Sequence, residues 1–226
     1  MATKALSDIK KKRERDELSK YIAPDALWSV SDVLDGVRDR EPEEKFITIL
    51  FSDICSFTPK CERLSPRAVV RLLNSYFDHM IRVLQSNNAI VDKFIGDAIA
   101  ARFDSGDSSK DARDAVTTAC EMIKVLEDFN RNSLETIEIR IGINSGTVIL
   151  GNIGCDLYRL DYTMIGDNVN ITQRLENQAP KLGCLISAST YDLVRDFAEV
   201  GPAVELSLKG KSVPVQAFPL IDIKAR

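Results

Sequence analysis

Two aspartates at predicted strand ends are the first residues of this sequence with a clear chemical use. Asp53 ends the run FITILFSD, and Asp97 follows Gly96 near the centre of AIVDKFIGDAIAARF. Either aspartate alone would be assigned to a cap or a turn. Two carboxylates at neighbouring strand ends, however, repel each other unless a cation lies between them. The pair therefore predicts magnesium, which binds one or two carboxylates together with water and substrate phosphates.

Three further polar residues have a spacing that could serve a site. Lys93 lies just before the predicted hairpin turn, in a segment that is otherwise mostly apolar. Asn170 and Arg174 are four residues apart in GDNVNITQRLE, where we expect a helix from about Asn168 with Asp167 as its cap. Such a helix places both side chains on one side. Without other evidence the lysine could simply extend to water, and the helical pair could simply be solvated.

The elements that would position these residues follow one another as β-α-β-β-α-β. The run from Phe46 is rich in β-branched and aromatic residues, which suits a strand buried on both faces. Pro66 opens a helix with apolar residues at helical spacing, and a hairpin turning near Gly96 comes next. A second helix carries an apolar stripe from Ala115 to Phe129 and precedes the alternating strand IEIRIGIN.

This order predicts an α+β fold with a ferredoxin-like βαββαβ core and a C-terminal extension. In that core the first strand and the central hairpin lie side by side in one antiparallel sheet. We therefore expect Asp53 and Asp97 at the same edge of the sheet. It is this shared edge, more than either residue, that favours a metal site.

Composition excludes several classes of protein. The 226 residues are 44% hydrophobic and carry a formal net charge of −4, which allows a sizeable core and argues against a nucleic-acid surface. The five cysteines are scattered without a C-x-x-C pair, so we expect neither a disulfide framework nor a zinc site, and a reducing cytoplasmic setting fits. No apolar run reaches about 18 residues and no signal peptide is apparent, so we expect no membrane span.

The chain divides into two regions by composition. Residues 1–42 are charge-rich, and we interpret them as an N-terminal helical leader or linker. A signal-transmitting or dimerising helix is the alternative for this segment, and it would connect to an upstream sensor domain. Residues 43–226 form the predicted globular domain.

Four separated stretches carry a family resemblance. FSDICSFT, VDKFIGDAIAARF, RIGINSGTVILGNIG and DYTMIGDNVNITQRLE, in this order and spacing, closely resemble the catalytic domain of class III adenylyl cyclases, over about residues 44–220. The resemblance implies a homodimer with active sites at its interface. It also implies cyclisation of the substrate ATP to 3′,5′-cyclic AMP and pyrophosphate, with two Mg²⁺ or Mn²⁺ ions per site.

The resemblance also assigns roles to the metal and phosphate residues. By similarity Asp53 and Asp97 are the metal ligands, and the backbone around Phe57 and Thr58 holds the phosphates. Ser56 stands where a glycine is usual in the family. In SLKGKSVPVQAF the resemblance favours Lys209 as a contact of the β- or γ-phosphate, with Lys211 as a close competitor.

Two residues are implied in the recognition of the base. Lys93 would donate to N1 of adenine, whereas guanine presents an N–H at that position. Its companion is Thr163, where many adenylyl cyclases have aspartate; guanylyl cyclases usually have glutamate and cysteine at the two positions. The threonine resembles the subclass of cyanobacterial and soluble mammalian enzymes that respond to bicarbonate, so bicarbonate is a predicted activator.

The helix of the fourth stretch supplies the remaining groups. By the same resemblance Asn170 orients the ribose, and Arg174 stabilises the charge that builds on the α-phosphorus during attack by the 3′-hydroxyl. Arginine suits this role because its planar fork stays ionised and binds two phosphate oxygens. Two other interpretations are weaker. A diguanylate cyclase needs G-G-[DE]-E-F where this chain has FIGDA, and a non-catalytic regulatory domain would have lost a metal ligand or the arginine, whereas none is missing.

Overall fold

The structure is a computed structural model that describes residues 41–155, 159–206 and 214–224. The predicted helical leader lies almost wholly outside these residues, as do Lys209 and Lys211. The domain boundary at residue 42 and the role of Lys209 therefore stay predictions. Within the described ranges, none of the helices combines the length and the apolar character needed to cross a membrane.

The described residues form nine strands and five helices, and the elements up to β4 occur in the predicted order, with one added helix. The strands are β1 Glu43–Ile54, β2 Ile90–Ile95, β3 Ala98–Phe103, β4 Ile139–Cys155, β5 Arg159–Ile165, β6 Gly183–Ser187, β7 Ala198–Val200, β8 Val204–Leu206 and β9 Val215–Ile223. The helices are α1 Phe57–Arg63, α2 Pro66–Ser86, α3 Ser108–Asn132, α4 Asp167–Gln178 and α5 Ala188–Val194. Helix α1 and the C-terminal half of β4 are additions to the elements predicted from periodicity.

The sheet has the topology that the element order predicts. Its strand order is β2-β3-β1-β4-β6-β9-β7, with β5 paired to β4 and β8 paired to β9. Strand β1 is antiparallel to β3, and Thr48 opposes Phe103 while Ser52 opposes Ile99. This register brings the end of β1 beside the start of β3. The α+β, ferredoxin-like core with a C-terminal extension is thus confirmed.

Two long helices cover the core part of this sheet. Helix α2 begins with Pro66 after Ser65, whose hydroxyl accepts the N–H of Ala68, and α3 begins after Asp107, whose carboxylate accepts two backbone N–H groups. Both helices bury an apolar face against the strands. The fully buried side chains of this core include Leu50, Tyr76, Met80, Leu84, Ile99, Met122, Leu126 and Ile141. A rigid, packed support of this kind fixes where the strand ends lie.

The described chain separates into two compact units. Of the described residues, the larger contains 45–148, 165–206 and 214–224, and the smaller contains 41–44, 149–155 and 159–164. In the smaller unit the end of β4 pairs with β5 as a hairpin, and a Cβ on Gly151 would lie 3.2 Å from Pro42, so Pro42 packs closely on this hairpin. Three large apolar side chains of the hairpin are exposed, namely Ile149, Ile153 and Leu160.

Candidate active site

The two predicted metal ligands lie together in the larger unit. Asp53 is near the end of β1, and Asp97 follows Gly96, whose φ of 66° is the left-handed conformation that the hairpin turn requires. The pairing of β1 with β3 places the two residues close enough for the charge of Asp53 to act on the Asp97 carboxyl group. Burial and the neighbouring charge of Asp53 raise the pKa of Asp97 to about 6.

An arginine and a glutamate complete this cluster. Arg140, on β4, places Nη2 3.2 Å from Oδ2 of Asp53 and 3.2 Å from Oε1 of Glu176, on α4. Oε1 of Glu176 has no hydrogen-bond partner, since its approach to Nη2 is at ion-pair distance without hydrogen-bond alignment, and Nε of Arg140 is likewise without one. Burial first, and then the charge of Asp53, raise the pKa of Glu176 to about 7. The cluster thus holds three carboxyl groups against one guanidinium.

Close packing of α4 on β4 brings Glu176 to this position. A Cβ on Gly142 would lie 2.3 Å from the backbone nitrogen of Glu176 and 2.5 Å from the carbonyl oxygen of Thr172, so a larger residue cannot be accommodated there. At the start of the helix, Asn144 donates to the Asn168 carbonyl and to its side-chain oxygen, both at 3.1 Å. Gly142 therefore permits the close approach of α4 to β4, and the hydrogen bonds between Asn144 and Asn168 hold the start of the helix in place.

The helix carrying Asn170 and Arg174 begins differently from the prediction. Gly166, with φ 149°, is the N-cap, and Asp167 is the first residue within the helix instead of its cap. A φ in this range disfavours a side chain, and an aspartate in the first helical turn interacts favourably with the helix dipole. The expected cap at Asp167 is thus wrong by one residue, while the helix itself is present.

The structure does not bring Asn170 and Arg174 to the aspartates of their own chain. Successive helical residues are about 100° apart, so Arg174 and Glu176 are about 200° apart around α4. Because Glu176 faces Arg140, the side of the helix with Asn170 and Arg174 faces away from the cluster. Among the described residues no hydrogen bond or ion pair joins Arg174 to Asp53 or Asp97.

The predicted phosphate loop is a sharp turn into α1. Phe57 and Thr58 are the first two residues of the helix, where backbone N–H groups have no acceptor within the helix. Ser56, the residue before them, has φ 55° and ψ 40°, in the left-handed region that favours glycine. This conformation explains physically why glycine suits the position. Phe57 packs partly against the core, and Thr58 is exposed.

The two predicted base-recognition residues lie in different units. Lys93 is on β2, with its Nζ 3.6 Å from Oδ2 of Asp92 and its side chain 38% exposed. Thr163 is on β5 in the hairpin of the smaller unit, and its side chain is largely buried. Each is on a strand, which holds a side chain more firmly than a loop does.

Arg140 and Glu176 were not predicted as site residues, and only Glu176 carries a signal in the sequence. Arg140 occupies an ordinary polar position of the alternating strand IEIRIGIN, whereas Glu176 follows Thr172 at helical spacing, on the face that also buries Leu175. A buried charge on a predicted inward face usually has a partner of opposite charge. That rule selects Glu176 as a candidate, but it does not select Arg140 and does not say which cation Glu176 meets.

The donor set fits a hard divalent cation. Asp53 and Asp97 offer carboxylate oxygens from adjacent strand ends, and burial together with the charge of Asp53 raises the pKa of Asp97, which a bound cation would oppose. Within the described ranges no group of three or more His, Cys, Asp or Glu side chains is arranged to hold a metal ion. Two carboxylates completed by water and substrate phosphates is the coordination that magnesium commonly adopts.

Comparison with known proteins agrees with this fold. The family described as "Adenylate and Guanylate cyclase catalytic domain" matches residues 40–220. An adenylate cyclase of Anabaena cylindrica is 31% identical over 97% of this chain and 45% of its own length. The crystal structure of the adenylyl cyclase CyaB from P. aeruginosa has a TM-score of 0.75 at 34% identity, over 81% of this chain and 97% of that one. The guanylyl cyclase Cya2 has a TM-score of 0.77 at 33% identity, over 82% and 96%.

The chain therefore belongs to the adenylate and guanylate cyclase catalytic domain family. This confirms the resemblance to class III cyclases. The chain spans less than half the length of the Anabaena relative. Proteins named for either nucleotide are similar to it at comparable identity, so the choice between ATP and GTP rests on its own residues.

Proposed function

We propose that this domain is an adenylyl cyclase, which converts ATP to 3′,5′-cyclic AMP and pyrophosphate at composite sites in a homodimer. The observation that carries the proposal is the proximity of Asp53 and Asp97 at one sheet edge, beside the start of α1. Family membership makes nucleotide cyclisation the chemistry to which this edge is suited.

The reaction needs one bond to form and one to break. The ribose 3′-oxygen attacks the α-phosphorus, the bond from that phosphorus to the bridging oxygen of pyrophosphate breaks, and the 3′-hydroxyl proton passes to solvent. Asp53 and Asp97 would hold Mg²⁺ or Mn²⁺, two ions per site, which supply charge neutralisation at the phosphates when bound. The backbone N–H groups at Phe57 and Thr58 would bind phosphate oxygens.

Arg140 has a use that follows from its contacts. Glu176 would hold the Arg140 guanidinium at this edge while Asp53 served as a metal ligand. An ionised guanidinium held at this edge would then be available to phosphate oxygens. Lys209, by resemblance, would contact the same part of the substrate.

The remaining catalytic groups would come from the partner chain. Asn170 and Arg174 lie on the side of α4 opposite to Glu176, so one chain alone does not assemble the full set around Asp53 and Asp97. Arg174 would stabilise the charge at the α-phosphorus, and Asn170 would orient the ribose. A symmetric dimer generates two such composite sites. Exposed apolar side chains suited to an interface are present in each unit, including Phe94 in the larger and Ile153 in the smaller.

Lys93 and Thr163 support ATP as the substrate. A lysine ammonium donates to the N1 acceptor of adenine and is mismatched to the N–H of guanine, and a threonine hydroxyl can accept from the adenine amino group. Guanylyl cyclase is the second candidate, because the chain is also similar to Cya2. Activation by bicarbonate and control by an upstream sensor domain are further proposals, and they rest on the resemblance at Thr163 and on residues 1–42.

The decisive experiment measures both products. The purified protein is incubated with ATP or GTP and Mn²⁺, and cyclic AMP and cyclic GMP are separated and quantified. Formation of cyclic AMP in clear excess supports the proposal. Cyclic GMP as the main product would support the second candidate. If folded, dimeric protein forms neither cyclic nucleotide, both candidate functions are excluded.

A further inference from the structure

Strand β2 contains an irregularity at Asp92. Val91 opposes Ala101 and Lys93 opposes Ala100, so Asp92 is an extra residue between two consecutive pairs, as in a β-bulge. In a regular strand neighbouring side chains point to opposite faces. The extra residue breaks this alternation, and Oδ2 of Asp92 lies 3.6 Å from Nζ of Lys93.

Asp92 is itself fixed by a buried arginine. Its side chain is 1% exposed, and its Oδ1 accepts from Nη1 of Arg102 at 3.4 Å. Arg102 is also 1% exposed, and its Nε donates to Oδ2 of Asp104 at 3.3 Å. Arg102 thus joins two aspartates, of which Asp92 lies at ion-pair distance from Lys93.

This arrangement gives Lys93 a fixed support at its charged end. Lysine has a flexible four-carbon stem, and an ammonium group has three donors. An ion pair with Asp92 restricts the position of Nζ and still leaves donors for a ligand. Because rotamer freedom lost before binding is not lost again during binding, a restrained lysine recognises its acceptor more strongly than a free one.

We propose that Asp92, held by Arg102 and presented by the bulge, is a positioning residue that sets the preference for adenine over guanine through Lys93. The inference rests on the proposed function, since it takes Lys93 as the residue that contacts the base. Asp92 itself does not touch the nucleotide in this proposal. A lysine that is not held in place could turn away from guanine, so loss of Asp92 weakens discrimination as well as affinity.

Asp104 provides a matched control for the test. Asp92→Asn and Asp104→Asn each remove one carboxylate charge from Arg102, but only the first removes the partner of Lys93. Both variants should lower the thermal midpoint, because a buried arginine loses a counter-charge. Only Asp92→Asn should change nucleotide choice.

The measurement is kcat and KM for ATP and for GTP. In Asp92→Asn we expect the ATP/GTP ratio of kcat/KM to fall by about 5- to 10-fold, mostly through a higher KM for ATP, while Asp104→Asn stays within about 2-fold of wild type. In a Lys93→Met background, adding Asp92→Asn should change the ratio by less than about 2-fold, because the two residues act as one unit.

Each outcome decides the matter. If Asp92→Asn does not fold, two double variants replace it, each of which removes the charge of Arg102 and of one aspartate. Asp92→Asn/Arg102→Gln lacks Asp92, whereas Arg102→Gln/Asp104→Asn keeps it. The positioning role of Asp92 is overturned if the ATP/GTP ratio of kcat/KM is unchanged in the variants that lack Asp92, or if it changes equally in the Asp104 controls. In either case, cyclic AMP synthesis by the wild-type protein would still uphold the proposed function. Wild-type protein that cyclises neither nucleotide overturns the proposed function and this inference with it.

Discussion

Nη2 of Arg140 lies 3.2 Å from Oδ2 of Asp53, although the two residues are 87 positions apart in the chain. The same nitrogen lies 3.2 Å from Oε1 of Glu176. With Asp97 beside Asp53, the cluster contains three carboxyl groups and one guanidinium, which contacts Asp53 and Glu176. The cluster is therefore short of positive charge, and this shortage has consequences for pH dependence and for metal binding.

The first prediction concerns stability without metal. Ionisation of Glu176 and Asp97 is opposed in the folded state, where their pKa values are raised to about 7 and about 6, while the unfolded chain ionises both at their usual values near pH 4. The folded state thus binds more protons between about pH 4 and pH 7. The contribution of Glu176 and Asp97 to the free energy of unfolding therefore decreases as the pH rises from about 4 to about 7. Above about pH 7 this contribution no longer changes with pH.

Thermal unfolding in EDTA at pH 5 and pH 8 checks this prediction. Wild type should lose several degrees of midpoint over the interval, and Glu176→Gln should lose less, because glutamine does not ionise. Glu127→Gln, at an exposed helical position, is the control and should behave like wild type. If Glu176→Gln keeps the wild-type slope, Glu176 does not carry the pH dependence.

The second prediction concerns the metal. Mn²⁺ should raise the thermal midpoint of wild type, because a cation that binds only the folded state stabilises it by mass action. Asp53→Asn and Asp97→Asn should lose this increase and should each reduce kcat/KM by about 10²-fold or more. Asp196→Asn, at a surface pair with Arg113, should retain both properties. A full Mn²⁺ response in Asp97→Asn would remove Asp97 from the ligand set.

The third prediction concerns base choice. The double variant Lys93→Glu/Thr163→Cys carries the residues usual in guanylyl cyclases, so it should lose most ATP cyclisation and gain some activity with GTP. The thermal midpoint, measured in parallel, should change much less. Lys124→Glu reverses the charge of an exposed lysine elsewhere and serves as the control. Unaltered ATP activity in the double variant would exclude Lys93 from base recognition.

The fourth prediction concerns bicarbonate. Because Thr163 resembles the subclass that responds to this ion, sodium bicarbonate should raise the rate of cyclic AMP formation at fixed pH and ionic strength. Initial rates are compared with those in sodium chloride of the same concentration. An equal increase with chloride would show a general salt effect instead.

The fifth prediction tests the composite site. Asp97→Ala damages the site to which its own chain contributes aspartates, and Arg174→Ala damages the other, so each homodimer should be close to inactive. In a mixed dimer both lesions can fall in one site, which leaves the second site intact. With random exchange about half of the dimers are mixed and each has one working site of two, so activity should recover to about a quarter of wild type.

Cyclic AMP formation is measured for each variant alone and after co-incubation, with exchange verified by differently tagged chains. A mixture of Asp97→Ala with Asp53→Ala is the control, because both lesions affect the aspartate side of the site, and mixing should restore nothing. If exchange is complete and the first mixture stays inactive, Arg174 does not act across the interface.

The order of elements and the shared edge of Asp53 and Asp97 could be predicted from the sequence alone. Both follow from local signals. Hydrophobic periodicity identifies strands and helices, and the β-α-β-β-α-β order leaves few sheet topologies to consider. The motifs were also sufficient to recognise the family, because each of them is a continuous stretch of the sequence.

The pairing of charged side chains could not be predicted in this way, because it depends on how the elements pack in three dimensions. The cluster of Arg140 and Glu176 with Asp53 depends on how closely α4 approaches β4. Gly142 permits this approach, but the hydrophobic pattern of the sequence does not mark it as a contact position. The bulge at Asp92 and the left-handed conformation of Ser56 are likewise set by packing and register. Periodicity reports which face of an element is buried, whereas the partner of a buried charge is fixed by distances between segments far apart in sequence.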